Sequence, residues 1–303
     1  MAHFTYSVYG MQIASAMALL LPSPSFEGRE PDVLIRPGDV PAGLKEPEVT
    51  TPVIQARPDT FLFSLPGVGR FLVLKGQEVV WQTEAGVPEE VMSLHLSHAA
   101  LGALLYQRGL LPLHASGVIV DGGCVSFLGG PAAGKSTLAA ALWQRGYQVL
   151  CDDICAVTFT EGIATVQPGI RQLQLWQDAA QALGLNTASA PRTHPEGARY
   201  GFTDDGSLSA HPFSLRRLYV LREARVEPEG IRRLKGSEAF MRLVSYTYCP
   251  AYLVALGGGS NYFGTYAGIA RSVPLFLWSR PPDLERLDDM VDLLEGHLKD
   301  ESA

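Results

Sequence analysis

The run Gly129-Gly130-Pro131-Ala132-Ala133-Gly134-Lys135-Ser136 constrains this chain more than any other stretch. Its fixed positions read G-x-x-x-x-G-K-[ST], and its variable positions are all small. An apolar run, Cys124 to Leu128, precedes it. A helical pattern from Lys135 to about Arg145, ended by Gly146, follows it. Glycines and small side chains let backbone N–H groups curl around an anion without steric interference. A helix starting at Lys135 points its positive end at the same place. Lys135 can reach the β- and γ-phosphates of a nucleotide, and the Ser136 hydroxyl can ligate magnesium. Residues 129–137 therefore read as a P-loop that holds ATP or GTP with Mg2+. Thr137 either touches an α-phosphate or caps the helix.

Two adjacent acids, Asp152 and Asp153, follow the apolar Val149-Leu150-Cys151. This is where a strand beside the P-loop would end. The carboxyl edge of such a sheet is where ligands bind. One acid would hold magnesium and the other would accept a proton from an attacking hydroxyl. His114, in Leu113-His114-Ala115-Ser116-Gly117, stands just before the strand that leads to the loop. Arg171, after Pro168-Gly169-Ile170, could stabilise transferred phosphate charge. Arg192, His194, Arg199 and Tyr200 form a polar run that reads as a solvated loop. His95 and His98 lie on a predicted helix and read as packing or solvent-facing residues.

The rest of the chain divides in two. Residues 1–86 are β-rich: Phe4 to Tyr9, Val33 to Ile35, Phe61 to Leu65, Phe71 to Leu74 and Val79 to Trp81 have strand composition. Pro22 to Pro58 otherwise reads as loop, being rich in Pro, Gly and Glu. A helix is expected from Pro88, at its first position, to about Arg108, with Gly109 as its stop. Residues 87–303 would form the nucleotide-binding domain. It adds strands at Val118 to Val120, Leu218 to Leu221 and Val273 to Leu277, a helix capped by Ser237 and a final helix capped by Asp283. The fold class is α/β: a P-loop core sheet with flanking helices, preceded by a β-rich region.

Composition narrows the function. With 303 residues, 47% of them apolar and 18% charged, the chain can build a large core. Its net charge of -7 and scattered arginines argue against a nucleic-acid partner. Met11 to Leu21 is interrupted by Gln12 and Ser15, is stopped by Pro22 and has no Lys or Arg before it. It makes neither a membrane span nor a signal peptide, so a cytoplasmic location is expected. Cys124, Cys151, Cys155 and Cys249 lack zinc-ligand spacing and read as reduced core thiols.

The segment Leu113 to Gly117, the P-loop, Arg145-Gly146-Tyr147 and Asp152-Asp153 together resemble the catalytic domain of HPr kinase/phosphorylase, over roughly residues 110 to 160. Across most of the chain, Tyr9-Gly10, the run Gln107 to Ala115, and Pro168-Gly169 with Leu175-Trp176 resemble a branch of HPr kinase-like proteins associated with lasso-peptide biosynthesis. The resemblance implies an HPr kinase-like core and an ATP- and Mg2+-dependent kinase that phosphorylates a C-terminal serine of a precursor peptide. It also implies Asp152 as proton acceptor, Asp153 with Ser136 at the metal, a role for His114, and a homo-oligomer. The two acids are interchangeable at this stage. The family's downstream metal-site glutamate signature is replaced here by Gln167-Pro168-Gly169-Ile170-Arg171. A small-molecule hydroxyl kinase on the same scaffold, or a non-catalytic nucleotide-dependent regulatory module, are the competing readings.

Overall fold

Alternating apolar residues build the N-terminal region, because successive side chains of a strand point to opposite faces. The computed structural model describes residues 4–21, 30–193, 197–223, 228–257 and 259–300. His194, of the polar run, and Pro22 to Arg29 lie outside the described residues. The first eight strands are β1 (Phe4–Val8), β2 (Met11–Ser15), β3 (Val33–Pro37), β4 (Val49–Thr50), β5 (Ile54–Arg57), β6 (Thr60–Leu65), β7 (Gly69–Leu74) and β8 (Glu78–Thr83). They form one sheet in the order β1-β2-β3-β8-β7-β6-β5-β4. The segment expected to be loop up to Pro58 thus contains β4 and β5. β4 is the edge strand and β5 lies next to it, and Pro52 and Pro58 fall outside both strands, where they break no ladder.

A helical segment crosses the apolar face of this sheet: α1 (Glu89–His95), a π-helical turn (Leu96–Ala100) and α2 (Leu101–Gln107). Leu96, Ala100, Leu101 and Leu104 are fully buried with Phe61, Phe63 and Phe71 in one core. Pro88 is the residue before the helix rather than its first position, with extended φ/ψ of -63° and 147°. The boundary expected at residue 86 falls in the link between β8 and α1. Tyr9, Ile154 and Ile170 belong to the same apolar core as the helix, so the sheet of β1–β8 and the strands around the acid pair share buried surface.

The second sheet is organised by β9 (Leu111–Val120), which begins before His114 rather than after it. One edge of β9 pairs with β10 (Gly123–Leu128). Its other edge pairs first with β11 (Gln148–Cys151) and then with β12 (Ile154–Thr160). Asp152 and Asp153 are the break between those two pairings. β13 (Ile163–Val166) joins β12 to β16 (Phe213–Glu223), and β16 runs parallel to β10, so the hydrogen-bonded circuit closes on itself. β18 (Leu275–Arg280) continues outward, parallel to β16, and β17 (Gly230–Leu234) lies at the edge. A separate ribbon pairs β14 (Gln172–Trp176) with β15 (Arg199–Thr203).

Helices cover both faces. One face takes α3 (Lys135–Gln144) and α8 (Leu287–Asp300), whose Leu287, Val291, Leu294 and Leu298 recur at helical spacing and are buried. The other face takes α5 (Gly236–Ser245) and α7 (Gly259–Ser272). Two short helices, α4 (Gln177–Ala182) and α6 (Pro250–Ala255), complete the set. Ser237 lies inside the first turn of α5 and does not cap it; Lys235 precedes the helix instead. Asp283 does cap its segment, accepting a hydrogen bond from the Glu285 backbone N–H at 2.9 Å. The chain is therefore a mixed α/β protein. No described helix is long and apolar enough to cross a membrane.

Candidate functional site

The Gly-rich loop sits where β10 ends and α3 begins. Ala132 and Gly134 have φ of 61° and 78°, left-handed values that close the loop and leave Gly134 as the residue before the helix. A side chain at Gly129 would collide with Ala133, so the tight curl needs glycine there. Pro131 and Ala132 form the exposed rim, while Gly130, Ser136 and Thr137 are partly exposed. Lys135 is buried, 7% exposed, and its ammonium donates to the carbonyls of Gly129 (3.0 Å) and Gly130 (3.2 Å). Burial pulls its pKa down; Asp152 and Asp153 pull it back up, and Arg199 opposes them.

The two acids occupy opposite roles in the geometry. Asp152 is 2% exposed and its carboxylate accepts three hydrogen bonds. Its Oδ1 accepts from the Ser116 hydroxyl at 2.5 Å and from the Ser136 hydroxyl at 2.9 Å; its Oδ2 accepts from the Gln174 backbone N–H at 3.0 Å. Burial raises the Asp152 pKa against the lowering effect of the Ser116, Gln174 and Ser136 hydrogen bonds, and the neighbouring Asp153 charge adds to the rise. Asp153 has φ of 67°, which turns its side chain out of the strand and away from that of Asp152. Its side chain is 27% exposed, and its Oδ1 lies 3.3 Å from His114 Nε2. Burial would push Asp153 up, but the His114 hydrogen bond and the fields of His98, His114 and Lys135 more than offset it, and its pKa is lowered.

His114 is placed from both sides. Its backbone N–H donates to the Tyr246 carbonyl at 2.7 Å, and its ring meets the Tyr248 ring edge-on at 6.4 Å. His98, expected to be a packing or surface residue, faces the site instead. His98 lies within the π turn, and its ring stands beside Asp153. Its Nδ1 lies 3.1 Å from the Leu94 carbonyl, so Nδ1 carries a proton. Its Nε2 faces the Gln174 side-chain amide at 3.2 Å and Asp153 Oδ2 at 4.0 Å. Gln174 thus holds Asp152 through its backbone and His98 through its side chain. Neither residue belongs to a motif, and a π turn has no sequence signature that separates it from the surrounding helix.

Arg171 is engaged elsewhere. Its guanidinium pairs with Asp204 at 2.7 Å, both side chains being largely buried, and donates to the carbonyls of Val149 (2.9 Å) and Gly206 (2.5 Å). Asp204 also accepts from the Val149 and Gly206 backbone N–H groups, so the pair ties the start of β11 to the turn after β15.

The segment behind the acids comes from two distant motifs. The Tyr9 backbone N–H donates to the Pro168 carbonyl at 2.7 Å, and the Gly169 N–H donates to Leu150 at 2.9 Å. Asp152 N–H donates to Ile170 at 2.7 Å. Tyr9 is fully buried, and a side chain at Gly169 would run into its ring and into Cys151. Cys124, Cys151 and Cys155 are buried free thiols behind the same strand.

Ser136 and Asp152 offer hard oxygen donors side by side, which suits a Mg2+ that keeps water and phosphate oxygens for its remaining positions. Among the described residues there is no cluster of His, Cys, Asp and Glu that would enclose a metal on its own. The arrangement can therefore seat a phosphate chain on a loop, a metal at its end, and an open carboxylate beside it.

No family model and no curated protein matches the chain. Among solved structures it is similar to the Hpr(Ser) kinase/phosphatase from Coxiella burnetii. The identity is 14% and the TM-score 0.36, with 63% of this chain and 99% of that one covered. A likeness of that size assigns neither a function nor any residue's role.

Proposed function

We propose that this protein is an ATP-dependent kinase that transfers the γ-phosphoryl group to a serine hydroxyl of a peptide, a lasso precursor being the acceptor that the sequence resemblance points to. The observation that carries the reading is the split between the two acids. Asp152 is bonded to the P-loop hydroxyl of Ser136, while Asp153 stands open between two histidines and near Lys135. We therefore assign the acids the other way round from the roles the resemblance implies: Asp152 with Ser136 at the metal, Asp153 as proton acceptor.

In this reading the backbone of residues 129–135 and the Lys135 ammonium hold the β- and γ-phosphates. Mg2+, held by Ser136 and Asp152, would neutralise charge on the phosphate oxygens. Asp153 accepts the proton of the attacking hydroxyl as its oxygen bonds to the γ-phosphorus. The bond from that phosphorus to the β–γ bridging oxygen breaks, and ADP leaves. His114 and His98 keep Asp153 ionised and aimed. Positioning and electrostatics supply most of the rate.

The test is mass spectrometry of a lasso precursor peptide after incubation with the protein, ATP and Mg2+. One added phosphate on a C-terminal serine, absent with Lys135→Ala, is the expected result. Bound ATP with no phosphopeptide would sink the peptide acceptor, and a screen of small hydroxy compounds would then decide whether the transfer reading survives.

A further inference from the structure

Resting on the nucleotide-binding reading above, we infer that Arg280 is a nucleotide-binding residue that grips the nucleoside-side phosphates, opposite the acid pair. Three observations lead there. The first is topological. β10, β16 and β18 are parallel, so their carboxyl ends share one edge of the sheet, and Arg280 is the last residue of β18. The acid pair lies on the β9 side of the loop; Arg280 lies on the β16–β18 side. A phosphate chain laid along the loop with its terminal phosphate at Ser136 and Asp153 brings its inner phosphates toward Arg280.

The second observation is contact with the loop itself. The Arg280 Nη2 donates to the Ala133 carbonyl at 2.5 Å, and a side chain at Gly134 would collide with the guanidinium. The glycine that ends the motif thus makes room for Arg280 as well as for a phosphate.

The third is charge. The Arg280 Nε is buried with no hydrogen-bond partner, and its Nη1 faces only the Met290 sulfur at 3.3 Å. Among the described residues no carboxylate pairs with it, and burial draws its pKa down to about 10. Arg171, by contrast, has Asp204. A partly buried guanidinium with an unpartnered Nε and no counter-charge costs more than it returns unless an anion completes it. At a loop built for phosphate, that anion is the diphosphate common to ATP and ADP.

Calorimetric titration of Arg280→Met and Arg280→Gln with MgATP and MgADP, paired with thermal unfolding of the nucleotide-free proteins, tests this. Both affinities are expected to fall by about 10- to 100-fold and by the same factor. The nucleotide-free melting temperature of Arg280→Met should hold or rise, because an apolar side chain replaces an uncompensated charge. Unchanged affinities in either variant, or a loss confined to ATP, would overturn the inference, as would a lower melting temperature with affinity intact. Arg280→Gln keeps a donor for Ala133 and so decides the matter even if Arg280→Met does not fold. Wild-type protein that bound neither nucleotide would instead overturn the kinase reading itself.

Discussion

At the residue scale, adjacent acids separate by burial and backbone conformation rather than by sequence. Asp152 is enclosed by hydroxyl and amide donors, and Asp153 is turned outward by a left-handed backbone. Asp153→Asn should lower turnover by about 10²- to 10⁴-fold while leaving MgATP affinity intact, measured by steady-state kinetics and calorimetry. Asp152→Asn should instead abolish the dependence of ATP affinity on Mg2+. The pH signs also differ. The depressed Asp153 pKa stabilises the fold fully above the unfolded-state value, and that stability is lost as pH falls through the folded value. Asp152, raised by burial, works the other way: protonation favours the fold as pH falls through its raised value. Loss of turnover through Asp153 should accordingly appear only below the ordinary carboxylate range, whereas an acid limb through the metal-holding Asp152 should lie above it and move down as Mg2+ is raised. An acid limb above that range that does not respond to Mg2+ would contradict Asp153 as the base.

At the element scale, the π turn of Leu96–Ala100 carries the helix residue that stands beside the break between β11 and β12. Deleting Ala99 should restore an ordinary helical register and swing His98 away by about 100°. Turnover should then fall by about tenfold or more while circular dichroism shows the helix retained; unchanged turnover would leave His98 without a role in the site. The loop, α3, β11 and the strand-end acids are legible in the sequence because glycine spacing and apolar runs encode them directly. His98 and Gln174 are not, since their roles arise from a register shift and from a separate ribbon. Nor is the restraint on Arg171 legible, because its partner Asp204 lies 33 residues away across the β14–β15 ribbon. β4 and β5 read as loop because short strands between prolines have the composition of one.

At the scale of the whole molecule, the N-terminal region backs the site. Tyr9 is buried against Gly169, and Pro168 and Ile170 carry the hydrogen bonds that hold the Tyr9 and Asp152 backbones. The distant motifs Tyr9-Gly10 and Pro168-Gly169 are thus one contact. Gly169→Ala should destabilise the protein by about 1–3 kcal/mol through overpacking against Tyr9 and Cys151. Denaturant unfolding would check it, and an unchanged midpoint would show that the two segments are not tightly joined in solution. The function proposed for this framework is phosphoryl transfer from ATP, and one measurement reaches that claim directly. Single-turnover reactions with γ-labelled ATP, Mg2+ and acceptor would compare wild type with Asp153→Asn, with bound nucleotide counted in the same samples. The expected result is labelled product from the wild type and product formed at least about 10²-fold more slowly by the variant, with equal nucleotide bound. Labelled product at the wild-type rate from Asp153→Asn, or bound ATP that the wild type never turns over with peptide or small hydroxy acceptors, would contradict the account.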